Sequence, residues 1–296
     1  MGHEDYAIAL IDLNFFNKCL ALLQTDDFSD DFQIQFSVSR LINFVLDQEI
    51  SQQYWIPILN IVSLLLSVNH DTIQLYALSM LSKLIQYGCV MKQESPIIQQ
   101  LKIASLTFSD KAMLQLIDIL LIFFKCNTPI YQALWDSCLK NILIYRIHHG
   151  NVYIKVKIYQ FAGEILRSDS AQFINIILHQ VIDDFTSCYM IKKSIIHFLS
   201  LFPYDSSHLS IPFIQNAIDF VITLFNKDDC EHNDVEINSQ ILHILATFGK
   251  FCTIHGYNIS EMPNIECIQD IISYAHFAGE YTNIDELICI YHIEVQ

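Results

Sequence analysis

The densest set of reactive side chains in this 296-residue chain is Asp228-Asp229-Cys230-Glu231-His232-Asn233-Asp234. Carboxylates, a thiol and an imidazole so close together are the donor types that metal ions use. The spacing argues for a solvated linker instead. An EF-hand needs a central glycine and a closing glutamate at its twelfth position, and a zinc site needs a second Cys/His pair; neither is present. The 12 histidines are otherwise scattered. His148-His149 leads into Gly150-Asn151, a turn signature, and no histidine stands beside a recognisable Ser, Cys or Asp partner. No G-x-G, Walker-type or G-x-S-x-G run occurs, so the usual backbone cradles for phosphates and oxyanions are missing from the sequence. The expectation is a non-catalytic protein with no cofactor and no metal.

Charge supplies a second kind of chemistry, which is recognition. The net charge is −16, unevenly distributed. Residues 1–50 carry nine acids against Lys18 and Arg40, and residues 201–296 carry fourteen against Lys227 and Lys250. Residues 125–200 are the exception, with eight basic groups against five acids. Lys155, Lys157, Lys192 and Lys193 therefore form a candidate site for an acidic protein or peptide partner, with Tyr131, Tyr145, Tyr153 and Tyr159 as aromatic neighbours. A net +3 within an acidic chain is too weak a footprint for nucleic acid, which is not expected as a partner. The acidic segment 26–31 and the acidic last third have the opposite option of steering a basic partner.

Nine cysteines stand singly without any C-x-x-C, the usage of reduced core thiols in a cytosolic or nuclear protein. The first ten residues, MGHEDYAIAL, lack the basic start of a secretory signal. A membrane span needs about 20 mostly apolar residues. The best candidate, Ile117–Phe124, is broken by Asp118 and closed by Lys125. No membrane span is expected, and localisation is expected to be cytoplasmic, nuclear or both.

The elements that must position these groups are helical. Hydrophobic residues make up 52% of the chain and there are only 7 Gly and 6 Pro, too few turn residues for a sheet rich in hairpins. Helix-spaced apolar patterns fall in pairs. Phe15–Leu23 precedes Ile34–Leu46, then Ile58–Leu66 precedes Ile73–Ile85, and Ile97–Leu106 precedes Met113–Phe124. The pairs Ile130–Tyr145 and Tyr153–Leu166, Ala171–Phe185 and Ile191–Phe202, Ile211–Phe225 and Val235–Phe251 follow. Ile265–Ala278 and Ile284–Ile293 close the chain. In the clearest pair Pro57 stands at a helix start and Gly88 at a helix stop. Central residues of the second helices (Leu41, Leu81, Leu120, Ala162, Ile196, Leu245) recur at steps of 40, 39, 42, 34 and 49, with a mean near the period of armadillo and HEAT units.

The run LLSVNHDTIQLYALSML over Leu65–Leu81 resembles an armadillo unit, with a polar turn between one helix and a longer one. Fainter copies lie at Leu22–Leu41 and Leu224–Leu245, and the pattern covers most of residues 10–255. HEAT pairing is the close competitor. The resemblance implies an all-α fold: a right-handed α-solenoid of about six to seven repeats in a single domain, 1–296. Its parts would be an acidic N-terminal repeat (1–50), central repeats (51–200) and acidic C-terminal repeats (201–296). It also implies a scaffold or adaptor that holds a partner segment along a concave face, as importin-α and β-catenin do.

In importin-α a Trp and an Asn four residues later line each third helix. Those positions fall here on Ser79 and Lys83, on Ser39 and Asn43, and on His243 and Thr247. Asn43 alone matches, and Trp55 and Trp135 stand in first helices. Asn43, Ser79 and Lys83 are thus candidate partner-binding residues. Alternative readings are a nuclear transport adaptor with a degenerate groove, a helical enzyme subunit, and a subunit of a larger complex whose apolar residues 1–24 pack on the second repeat or on another chain.

Overall fold

The computed structural model describes residues 14–25, 31–48, 50–92, 95–126, 128–166, 171–225, 235–262, 264–278 and 284–293. The reactive cluster 228–234, residues 26–30 of the acidic segment and the apolar start 1–13 lie outside them. Among the described residues the fold is all-helical, with fifteen α-helices and no strand. No described helix is long and apolar enough to cross a membrane.

The chain falls into two compact units, residues 1–146 and 147–296. The first contains α1 (Phe15–Leu23), α2 (Phe32–Val45), α3 (Trp55–Ser67), α4 (Asp71–Gln86), α5 (Pro96–Ala104), α6 (Asp110–Cys126) and α7 (Thr128–Leu134). The unit boundary falls inside α8 (Lys140–His149). The second unit contains α9 (Val152–Glu164), α10 (Ala171–Asp183), α11 (Tyr189–Ser200), α12 (Ile211–Leu224), α13 (Val235–Ile254), α14 (Ile265–Ala278) and α15 (Ile284–Ile290).

Local chemistry fixes the ends. The Asp31 carboxylate accepts from the Gln33 and Ile34 N–H groups and starts α2; the Asn151 and Ser210 side chains do the same for α9 and α12. Pro96 opens α5, where its missing N–H costs nothing. At the end of α4, Cys89 N donates to Leu84 O and Gly88 N to Ile85 O, both at 2.9 Å, around Gly88 at φ 88°. Gly256, at φ 70°, closes α13 with the same pair of bonds. These are paired left-handed caps that a side chain would strain.

Packing follows an alternating rule within each unit. In the first, α1, α3, α5 and α7 pack in succession as one row, α2, α4 and α6 as another, and α3 against α4 joins the rows. In the second, α9, α11, α13 and α15 form one row, α10, α12 and α14 the other. A helix in such a row is covered on more than one side, which accounts for the apolar excess. Hydrogen bonds between successive members of a row therefore link residues far apart in sequence: 40 residues for Lys83–Asn43, 43 for Gln240–His197 and 46 for Tyr291–Leu245.

Two details differ from expectation. The helix expected over Ile130–Tyr145 is split by a π turn at Trp135–Leu139 between α7 and α8. The turn follows a cluster in which the Tyr131 ring stacks on Trp135 at 5.7 Å and meets Phe124 edge-on at 5.1 Å. The cysteines also divide: Cys19, Cys89 and Cys252 are buried, whereas Cys126, Cys188, Cys267 and Cys289 are exposed free thiols.

The end of the second unit is seated by a close approach. A Cβ placed on Gly249 of α13 would stand 2.5 Å from Ile290 Cγ2 and 3.2 Å from the Tyr291 ring. The buried Tyr291 hydroxyl donates to Leu245 O at 2.7 Å, and Gln269 Nε2 donates to Tyr291 O.

Candidate functional site

The three importin-type positions Asn43, Ser79 and Lys83 converge, and they converge on each other. Successive turns of α2 and α4 face one another across the row. Ser79 Oγ donates to Asn43 Oδ1 at 3.0 Å, and Lys83 Nζ donates to Asn43 O at 2.8 Å and Asn43 Oδ1 at 3.0 Å. Lys83 also pairs with Asp47 at 2.6 Å, and the Tyr87 hydroxyl donates to Leu46 O. These groups tie one helix of the row to the next, so Asn43 is held by α4 and is not displayed alone. Ser39 is fully buried and bonds to Phe36 O within its own helix.

Where the row continues, the same side of α4 opens toward α6. A cleft of about 290 Å³ there is lined by Ser79, Ser82, Lys83, Gln86, Gln115 and Asp118. Gln115 Oε1 lies buried without a hydrogen-bond partner.

The four lysines of the basic middle separate. Lys155 reaches from α9 to Asp184, in the turn after α10, at 2.8 Å. Both side chains are withdrawn from solvent, at 15% and 5% exposure. The Tyr159 hydroxyl donates to the other carboxylate oxygen at 2.7 Å. A carboxylate so placed needs both partners, because an unpaired buried charge is costly. Lys155 is therefore structural, whereas Lys157 and Lys192 are half-exposed and Lys193 is exposed. Of the tyrosines, Tyr131 and Tyr159 are buried, and Tyr145 and Tyr153 stand out at 61% and 62% exposure.

Burial also sets a pH response. Desolvation first, and then the Asp184 charge, raises the Tyr159 pKa; desolvation raises that of Tyr291. Burial pushes Cys19 and Cys252 up to about 11 and raises Cys89. In each case the folded chain keeps a proton that the unfolded chain releases near pH 9 to 10. The stabilisation is complete below that range and is lost as pH rises through it, by about 1.4 kcal/mol per pH unit for each group. Urea titrations are expected to give constant stability from pH 7 to about 8.5 and a steep fall above pH 9 to 10. Tyr291→Phe is expected to flatten that fall, and a stability unchanged at pH 11 would contradict it.

A cleft of about 660 Å³ in the second unit lies where α11, α13 and α15 meet. Leu201 and Tyr204 line it from the end of α11, His243 and Thr247 from α13, and Glu286 from α15. Lys250 crosses its mouth, paired with Glu286 at 2.6 Å and 5.6 Å from the centre of the Tyr204 ring. His243 and Thr247 are the third pair of importin-type positions, and here both line the cleft, His243 exposed and Thr247 buried in its wall. Its volume falls within the usual range for binding pockets. Tyr204, Lys250 and Glu286 went unnoticed in sequence because their meeting depends on α15 folding back beside α13.

Among the described residues the histidines form no cluster that could hold a metal, and several make polar or ring contacts. His70 lies against Phe32, His208 Nδ1 is 3.1 Å from Asn175 Oδ1, and His255 lies 4.1 Å from Phe251. Among the described residues no three His, Cys, Asp or Glu side chains form a group able to hold a metal.

The chain matches no protein-family model, no curated protein and no solved structure. What it does must be argued from its own surfaces.

Proposed function

We propose that this chain is a non-catalytic protein-binding scaffold, and that it holds a segment of a partner protein against its second-helix rows. The carrying observation is that these rows, α2–α4–α6 and α9–α11–α13, open into clefts at equivalent positions, Ser79 and Lys83 in one unit, His243 and Thr247 in the other. Alternating packing and row bonds spanning about 40 residues support reading the chain as a right-handed armadillo- or HEAT-type α-solenoid of about six to seven repeats. Exposed free thiols support a reducing compartment, cytoplasm or nucleus. The partner is a protein or peptide, and the scaffold works alone or as a subunit of a larger complex.

The test is crosslinking mass spectrometry of the full chain in its native cell extract, comparing wild type with Tyr204→Ala and His243→Asp. A partner crosslinked to wild type and lost from both variants is the expected result. Partners captured equally by all three proteins, or none, would overturn the proposal.

A further inference from the structure

One wall of the cleft between α11, α13 and α15 is short of a partner. Thr247 is 5% exposed and lines the cleft, and its hydroxyl bonds to no described residue. Thr253, later in the same helix, instead donates to Gly249 O at 2.9 Å. A withdrawn hydroxyl without a partner costs free energy that a ligand recovers by supplying one. One turn earlier in the same wall stands His243, exposed, whose imidazole N–H can donate to a carbonyl as an aspartate could not.

The mouth of the cleft already holds a cation. Glu286 meets Lys250 whereas Tyr291 meets Leu245, so α15 runs against the direction of α13 and brings its first turn to the mouth. There the Lys250 ammonium lies 2.6 Å from Glu286 Oε1 and 5.6 Å from the centre of the Tyr204 ring. A carboxylate beside an aromatic face is a setting that attracts cations. It has room for a second one: a carboxylate offers about four acceptor positions, and Glu286 is 44% exposed and Tyr204 47%.

The charge around the mouth favours the same sign of ligand. Lys250 and Glu286 cancel, but Asp205 follows Tyr204 and Asp285 precedes Glu286, both exposed and without a partner among the described residues. Glu236 lies one turn before Gln240 of the lining, and its one contact is a long one, 3.5 Å from Gln240 Nε2. The remaining titratable groups of these walls are His197 and His243. Residues 201–296 as a whole carry fourteen acids against Lys227 and Lys250.

We infer that this cleft binds a basic segment of a partner protein, with one arginine at the mouth between the Tyr204 ring and Glu286, and Thr247 and His243 bonding polar groups of the segment. The inference rests on the scaffold reading and names the partner's chemistry. Arginine suits the place better than lysine, because its planar guanidinium stacks on a ring while its fork meets a carboxylate. Lys250 competes for the same two groups, so its removal strengthens binding instead of weakening it.

Fluorescence anisotropy tests this with the full chain and a labelled peptide carrying a central arginine between lysines, the remainder glycine and serine. Control peptides replace the arginine by citrulline, its neutral isostere, or every basic residue by glutamate. The basic peptide is expected to bind, more weakly as salt rises, and the glutamate peptide not to bind. Citrulline is expected to weaken binding about tenfold and Tyr204→Ala about fivefold. Glu286→Gln is expected to narrow the gap between arginine and citrulline peptides to about threefold, since the charge that separates them is gone. Lys250→Met is expected to tighten the basic peptide about fivefold. All three changes are at side chains that solvent reaches. Preference for the glutamate peptide, a gap unchanged by Glu286→Gln, a Lys250→Met variant that binds no tighter, or no binding of the basic peptide would overturn the inference. If the basic peptide fails while the crosslinked partner still depends on Tyr204 and His243, this inference falls and the scaffold reading stands.

Discussion

Asp184→Ala is expected to destabilise residues 147–296 by about 3–5 kcal/mol, the usual cost of stranding one member of a buried ion pair. Asp184 is 4% exposed and holds both the Lys155 ammonium and the Tyr159 hydroxyl. Its removal leaves Lys155 within a helix interface with no counter-charge, together with a buried hydroxyl that has lost its acceptor. Replacing both charges with apolar groups of similar size removes the stranded charge. Lys155→Met/Asp184→Leu is therefore expected to lie closer to wild type than Asp184→Ala alone. Urea denaturation of the three proteins measures the difference. A loss below about 1 kcal/mol in Asp184→Ala would show that water or a rearranged side chain compensates the charge.

The second large effect is expected at Gly249→Leu. Helix propensity alone would favour the change by about 1 kcal/mol, since glycine is a poor helix former. Sterics oppose it. Ile290 is β-branched and stiff, the Tyr291 ring is 1% exposed, and together they leave no room beside Gly249. Overpacking of about 3 kcal/mol is expected to lift α15 off α13 while the rest of the unit stays folded. Amide exchange within 284–291 should accelerate roughly 100-fold. Gly163→Ala is the informative contrast. Its near neighbour is the terminal methyl of Leu201, a flexible side chain 38% exposed, which can turn aside. That variant is expected to be neutral or slightly stabilised; equal damage at both glycines would refute the distinction between stiff and yielding neighbours.

The helices were legible in the sequence because their signals are local. Apolar spacing located α1 at Phe15–Leu23 and α14 at Ile265–Ala278, and Gly88 marked the end of α4. The split at Trp135 was not legible, since Tyr131 and Trp135 keep helical spacing up to the start of the π turn and its extra residue has no signature in the sequence. The site was legible in part. Asn43, Ser79 and Lys83 were singled out by repeat register, and register does bring them together, but the same register makes them each other's partners. Lys155 and Lys157 look alike in sequence, two residues apart. Only the turn at Asp184 draws Lys155 into a buried ion pair, and an acid 29 residues away carries no local signal.

The spacing of bonds along each row has a mechanical consequence. Bonds such as Lys83–Asn43 and Tyr291–Leu245 join residues 40 and 46 apart, so a row resembles a chain of links of similar length. A pull applied to the end of a row loads its outermost junction first, and the junctions behind it remain shielded until that one parts. Each parting would release about 40 residues, near 14 nm of slack at full extension. Tension within a row would thus be met in steps, with the helices still docked keeping their clefts while the end gives way.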